Sequence, residues 1–208
     1  MGTLHLARHG ETIWHAENRY AGVSDIGLTK LGHEQARDLA KWAVRVGISA
    51  VVSSDLSRAR ETAQPAATAL GVELVVDPRL RELDFGQAEG MTPTEMTAHF
   101  GAARAAFEMA PATSPLPGGE LGEHAVDRAL PALEELAHVY DGDVLVVTHA
   151  TLLRMLLCRI LAEPLDRYRN FFPVVGNATI TTLGYGDEEH GGEDGGLALL
   201  RYNAPTAW

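Results

Sequence analysis

The sequence is short of lysine. Lys30 and Lys41 stand alone beside fifteen arginines, and the formal net charge is −11. That balance excludes the broad basic surface on which nonspecific nucleic-acid binding depends. It equally excludes a polybasic patch for an anionic membrane. One cysteine is present, Cys158, so an intrachain disulfide and a thiolate zinc cluster are excluded. Cys158 lies in the apolar run Met155–Leu161 and reads as a buried thiol rather than a nucleophile. No apolar stretch reaches membrane-spanning length, and MGTLHLARHGET has no signal-peptide core. Gly2 is not followed by a serine or threonine where a myristoylation motif needs one. A cytoplasmic location is the default expectation.

What remains is ordinary globular composition, 46% hydrophobic and 22% charged over 208 residues. The length suffices for one core, and a single domain over 1–208 is expected. Thr3–Arg8 reads as a strand, Thr29–Val46 as a helix on Leu31, Leu39, Ala43 and Val46, and Ala50–Ser53 as a strand. A helix over Leu56–Leu70 stops at Gly71, and Glu73–Val76 is the next strand. Residues 86–122 hold four prolines and form an irregular insertion, with a helix over Pro93–Met109 and an expected role as a substrate-side cap. Val126–Tyr140 is amphipathic, and Pro131 within it predicts a kink or a late start. Val144–Thr148 is continuously apolar, as in a sheet covered on both faces, and a helix follows over Leu152–Leu161. Asn177–Leu183 and Leu197–Tyr202 read as late strands around an acidic, glycine-rich hairpin loop at 184–196. Alternating strands and helices predict an α/β three-layer sandwich with a mainly parallel central sheet.

Two segments share a design: LHLARHGET and LVVTHATLLR each run a strand into a histidine and a turn. Parallel strands present their carboxyl ends on one side, where open α/β sheets bind ligands, so His9 and His149 can share a pocket. A neutral imidazole is a nucleophile able to attack phosphorus. Such a site then has to position the phosphoryl group and stabilise its equatorial oxygens. Arg8, with Arg58 or Arg60, supplies planar guanidinium forks suited to phosphate. Arg58 and Arg60 point about 200° apart on a helix, so only one of them serves. His149 adds a donor, and Gly10 is read as sparing the attacking histidine a crowding side chain. The leaving alkoxide needs a proton, for which Glu82 in RLRELDFG is the candidate, since a carboxyl beside a phosphate dianion holds its proton more tightly. Glu11 and Asp84 are rival carboxylates.

Arg8-His9-Gly10-Glu11-Thr12 resembles the signature of the histidine phosphatase superfamily, with its phosphoglycerate mutase-like fold. The resemblance continues through Asn18-Arg19, Gly22, Asp25, Leu28-Thr29, Gly32 and Gln35-Ala36. Ser53 to Ala59 resembles the family's second arginine segment and favours Arg58 over Arg60. Arg79 to Leu83 with Phe85-Gly86 resembles the acid segment, Val147-Thr148-His149 the second histidine segment, and Asn177-Ala178 a late corner. Four separated motifs in order are specific where one alone is weak. The resemblance implies that His9 is phosphorylated, that Arg8, Arg58 and His149 bind the phosphate, and that Glu82 donates the proton. It places Arg19, Ala21 and Gly22 at the substrate, and Glu120, in a loop like one near the family's substrate opening, as a further contact. It implies chemistry without a metal or a resident cofactor, a small-molecule phosphate ester as the partner, and a homodimer as a state to be tested.

His15 departs from the pattern, because relatives carry asparagine there; imidazole can contact the phosphate in its stead. Residues 86–127 carry only Arg104 as a fully basic side chain, whereas the mutase branch has a basic cluster there. Without such partners a second anionic end is left uncompensated. The reading is therefore a phosphomonoester hydrolase acting on a small metabolite phosphate with a neutral or weakly charged body. The alternatives are a bisphosphoglycerate-dependent phosphoglycerate mutase and a catalytically silent binding protein of the same fold.

Overall fold

The computed structural model describes residues 2–185 and 196–206. One six-stranded sheet organises them: β1 (Leu4–Arg8), β2 (Ala50–Ser53), β3 (Leu74–Val76), β4 (Val144–Thr148), β5 (Ile180–Tyr185) and β6 (Leu197–Ala204), in the order β3-β2-β4-β1-β5-β6. β1, β2, β3 and β4 are mutually parallel, while β5 and β6 extend the sheet antiparallel. The helices are α1 (Ile13–Ala16), α2 (Lys30–Val46), α3 (Ser57–Leu70), α4 (Pro93–Met109), α5 (Gly122–Val139), α6 (Ala150–Ile160) and α7 (Tyr168–Phe171). This is the three-layer, mainly parallel architecture expected of a phosphoglycerate mutase-like chain.

Strand alternation divides the core. Leu4, Leu6, Val144 and Val146 face α5 and α6, where they meet Leu133, Leu152 and Leu156. Ala7, Leu145 and Val147 face α2 and α3, where they meet Leu39, Ala43, Ala63 and Ala67. β4 is buried along its whole length, as a strand covered on both sides must be. Cys158 is buried in α6, and burial raises its thiol to about 11, so it stays protonated at neutral pH.

Local expectations fare unevenly. Thr29 caps α2 by accepting from the Gly32 amide, and Gly47 ends the helix in the left-handed conformation. Its buried face, however, is Gly32, Ala36, Leu39, Ala40, Trp42 and Ala43. Leu31 and Val46 are exposed, because small residues let α2 pack closely on α3. Pro131 neither delays nor breaks α5, which starts at Gly122, before the expected Val126. Residues 86–122 are more regular than their prolines suggest: Pro93 opens α4 in its first turn, behind a Thr92–Glu95 capping box, and the kink falls at Phe100. Gly184 and Tyr185 belong to β5, so the acidic loop is shorter than 184–196. Its residues 186–195 lie outside the described residues. No helix among the described residues is long and apolar enough to cross a membrane.

Candidate active site

The parallel pairing of β1 with β4 sets Arg8 opposite Thr148. Both chains then leave the sheet one residue later, at His9 and His149. The His9 amide donates to the Thr148 carbonyl at 3.0 Å, so the ladder reaches the two histidines themselves. Their ring centroids are 5.1 Å apart, and both side chains are buried. His9 Nδ1 lies 2.7 Å from the Gly10 carbonyl oxygen. A carbonyl only accepts, so the proton sits on Nδ1 and the lone pair on Nε2. Burial, with Arg58 and Arg8 nearby, holds the His9 pKa well below that of a free imidazole. The ring is thus neutral at pH 7. His149 is held low in the same way, by burial and then by Arg58 and His9. Its Nε2 is 2.7 Å from Ser54 Oγ.

Gly10 is required for a different reason from the one expected. A Cβ there would sit 2.7 Å from the Gly32 carbonyl oxygen. The constraint is the close approach of the β1 turn to the start of α2, not room for the attacking ring. The Gly10 amide donates to Thr62 Oγ1 at 2.9 Å, and Asn177 Nδ2 donates to the His9 carbonyl at 2.8 Å. The backbone on both sides of the His9 ring is therefore tied down.

Arg58 is wholly buried at the start of α3. It donates to the carbonyls of Ser24 (2.8 Å) and Gly22 (2.5 Å), and more weakly to Ala21 (3.3 Å). Burial lowers its pKa, although Glu82 and Glu89 oppose the shift. Arg60 is exposed, so the structure separates the two arginines as their angular spacing requires. Arg8 donates to the Val175 carbonyl at 2.8 Å and pairs with His15 Nε2. Burial brings Arg8 down to about 10, with Glu82 opposing and Arg154 assisting. Arg8 Nε, Arg58 Nε and His149 Nδ1 are buried and have no hydrogen-bond partner in the protein. All three are donors, and buried donors left without a partner are the kind that an oxygen-rich anion would satisfy.

Glu82 is buried, and its carboxylate accepts from three amides: Leu83 at 3.0 Å, Thr151 at 2.9 Å and Leu152 at 2.8 Å. The last two belong to the first turn of α6, so Glu82 is clamped at that helix's amino end. Arg128 closes the clamp from behind, donating to the Glu82 carbonyl at 3.0 Å and to the carbonyls of Arg79 and Arg81. Its other partner is Glu120, at 2.9 and 3.0 Å. Glu120 therefore faces Arg128 and the Asp84 amide, not the cavity. Glu11 accepts from the Thr29 hydroxyl at 2.8 Å, and Asp84 accepts from the Gly86 amide. Neither rival carboxylate lines the cavity.

The cavity over His9 measures about 260 Å³. Arg8, His15, Arg19, Ala21 and Glu82 line it, together with Tyr20 and Phe85. Gly22 stands behind the lining: its carbonyl holds Arg58, while its amide donates to Glu89. Arg19 is tied to Glu17, the Gly90 carbonyl and Glu95. Trp14 packs on Gly90 rather than facing the cavity. No residue of 86–122 lines the cavity; that segment supports it through Gly90 and Phe107. Among the described residues no three His, Cys, Asp or Glu side chains converge as metal ligands.

Sequence reasoning missed Glu89, which accepts from the amides of Gly22, Val23, Ser24 and Phe85 and so pins the loop that Arg58 grips. It also missed Arg154, Tyr168 and Arg169, all in the cavity wall. Helical spacing from Thr151 would have found Arg154 three residues on. No comparable signal marks Arg169.

His15 is bound through Nδ1 by the Thr12 amide at 2.8 Å, and burial beside Arg8 lowers its pKa to about 4. It is neutral at pH 7 and gains a proton only as pH falls toward that value. His15→Asn is expected to retain turnover, because a carboxamide oxygen can accept from the Thr12 amide in place of Nδ1. It should also remove an inflection near pH 4 from the kcat/KM profile. Superimposable profiles for variant and wild type would reject a titrating role for His15.

A family model described as the histidine phosphatase superfamily (branch 1) matches residues 4–193. A protein of Enterobacter sp. (strain 638), named "Probable phosphoglycerate mutase GpmB", is 36% identical over 162 residues, which are 77% of this chain and 75% of that one. The mycobacterial glucosyl-3-phosphoglycerate phosphatase solved with VO3 is similar at a TM-score of 0.86 and 29% identity, over 98% of this chain and 100% of that one. Bacillus stearothermophilus YhfR is similar at 0.88 and 29%, over 98% of both chains.

Proposed function

The chain belongs to the histidine phosphatase superfamily, and from that premise we propose that it hydrolyses small phosphomonoesters through a phosphorylated His9. The observation that carries this reading is the set of buried polar atoms without a partner, Arg8 Nε, Arg58 Nε and His149 Nδ1, on residues that neighbour an imidazole whose lone pair is on Nε2. Nε2 attacks phosphorus in line with the leaving oxygen. As the N–P bond forms, the P–O bond to the alcohol breaks, and the ring keeps its proton on Nδ1, donated to the Gly10 carbonyl. Arg8 and Arg58 neutralise charge on the equatorial oxygens without reorganising. With the Ser54 hydroxyl donating to Nε2 of His149, the proton on Nδ1 of that ring serves the phosphate as well. Glu82 in its acid form protonates the leaving alkoxide. Its carboxylate then takes a proton from water, whose oxygen displaces His9 from phosphorus and releases inorganic phosphate.

A second reading, phosphoryl transfer as a mutase, is favoured by the name of the Enterobacter relative. One experiment separates the two. Rapid quenching during turnover should trap an acid-labile, base-stable phosphoenzyme. Inorganic phosphate should appear from 3-phosphoglycerate or a sugar phosphate whether or not 2,3-bisphosphoglycerate is added. Isomerised phosphoglycerate appearing only with the bisphosphate would establish the mutase, and the absence of both products would reject catalysis.

A further inference from the structure

Several arginines of this acidic chain have a carboxylate partner. Arg19, Arg79, Arg81, Arg104, Arg128 and Arg159 each pair with Asp or Glu. Arg154 of α6 and Arg169 of α7 do not: among the described residues neither has a carboxylate within ion-pair distance. Both line the cavity over His9 and both are half-buried. Each guanidinium carbon lies 4.6 Å from the centre of the Tyr168 ring. Tyr168 is fully buried, so it is a rigid post that holds two cations. Arg169 is steadied further by Phe107, at 5.3 Å. Arg154 is steadied by bonds to the Ala150 and Phe172 carbonyls at 3.0 and 3.5 Å. Arg169 Nη1 is inaccessible to water and has no hydrogen-bond partner in the protein.

Two half-buried guanidinium groups without counter-charge are costly unless an anion joins them. The cavity's own carboxylate, Glu82, is committed to three amides. Phosphate on His9 already has Arg8 and Arg58. We infer that Arg154 and Arg169 form a second anion subsite, which selects phosphomonoesters whose alcohol part carries another anionic group, a carboxylate or a second phosphate. The inference rests on reading the His9 cavity as a phosphomonoester site. It replaces the expectation of a neutral substrate body, which came from the scarcity of basic residues in 86–127. The cations enter from α6 and α7 instead, so a search confined to the insertion misses them.

The test is calorimetric binding to the full chain carrying His9→Ala, which holds ligands without turning them over. One pair of ligands is 3-phosphoglycerate and glycerol 3-phosphate, which differ by a carboxylate. The other is fructose 1,6-bisphosphate and fructose 6-phosphate, which differ by a phosphate. In at least one pair the more anionic ligand should bind about tenfold more tightly or better, the worth of a charge-assisted bidentate contact. Adding Arg169→Gln or Arg154→Gln should bring that ratio close to one, and Arg169→Lys should keep part of it. Equal affinities within both pairs would overturn the subsite, and so would a preference that survives both glutamine changes. The pairwise comparison in the parent protein needs no folded variant beyond His9→Ala. Hydrolysis is judged apart, by wild-type turnover: preference without turnover keeps the subsite and rejects the hydrolase, and turnover without preference does the reverse.

Discussion

His9→Ala is expected to lower kcat on any phosphomonoester by a factor on the order of 10⁵, as loss of a covalent nucleophile does elsewhere. No neighbour can take over. His149 lies 5.1 Å away between ring centres, but its Nε2 is engaged by Ser54. His15 has its Nδ1 against the Thr12 amide and its Nε2 against Arg8. The fold should survive, because the backbone at residue 9 is held independently by Thr148 and Asn177. The lost bond to the Gly10 carbonyl costs about 1–3 kcal/mol. The check is steady-state turnover of purified variant beside a thermal melt. Near-wild-type turnover in a folded sample would sink the nucleophile assignment, and with it the phosphohistidine.

Glu82→Gln carries the second largest effect, and its size should depend on the substrate. Loss of a general acid costs about 10²–10⁴ in rate. That loss should appear in full for alkyl esters, whose alkoxides need a proton to leave. It should be much smaller for p-nitrophenyl phosphate, whose phenolate leaves unaided. A structural cost accompanies it. Both oxygens of Glu82 accept, one from Leu83 and Leu152, the other from Thr151. Glutamine must turn an NH₂ toward one of these amides, a donor facing a donor, which costs about 1–3 kcal/mol. Chemical denaturation reads that cost separately from kinetics. Equal loss on alkyl and aryl esters would show that Glu82 only holds the amino end of α6 in place.

The layered fold and the motif residues were legible because period and punctuation spoke directly. β4 is apolar at every position and buried at every position, and Gly47 and Gly71 end their helices where expected. Arg8, His9 and His149 were legible because each follows or ends a strand whose neighbour could be inferred. Less of the support was visible. Nothing in GQAEG singles out Glu89, yet it accepts from four amides in two segments. Glu120 sits in a loop that resembles a substrate contact, but Arg128 draws its carboxylate the other way. Leu31 and Val46 were read onto one helical face with Leu39 and Ala43, yet only the latter two are buried, and Gly32, Ala36, Ala40 and Trp42 complete the packed face. Each of these depends on which distant segment comes alongside, and periodicity in one segment carries no record of that.

The main-chain ladder between the first and fourth strands has a further consequence. Arg8 stands opposite Thr148, so the gap between the two imidazoles is inherited from peptide geometry rather than tuned by loops. Insertions, deletions or grafts in the surrounding connections can reshape the cavity while the two histidines stay in step. Slipping that one pairing by a residue would turn every side chain on the strand to the opposite face and disarm the protein at a stroke. Evolvability at the rim and intolerance at the centre thus share one origin.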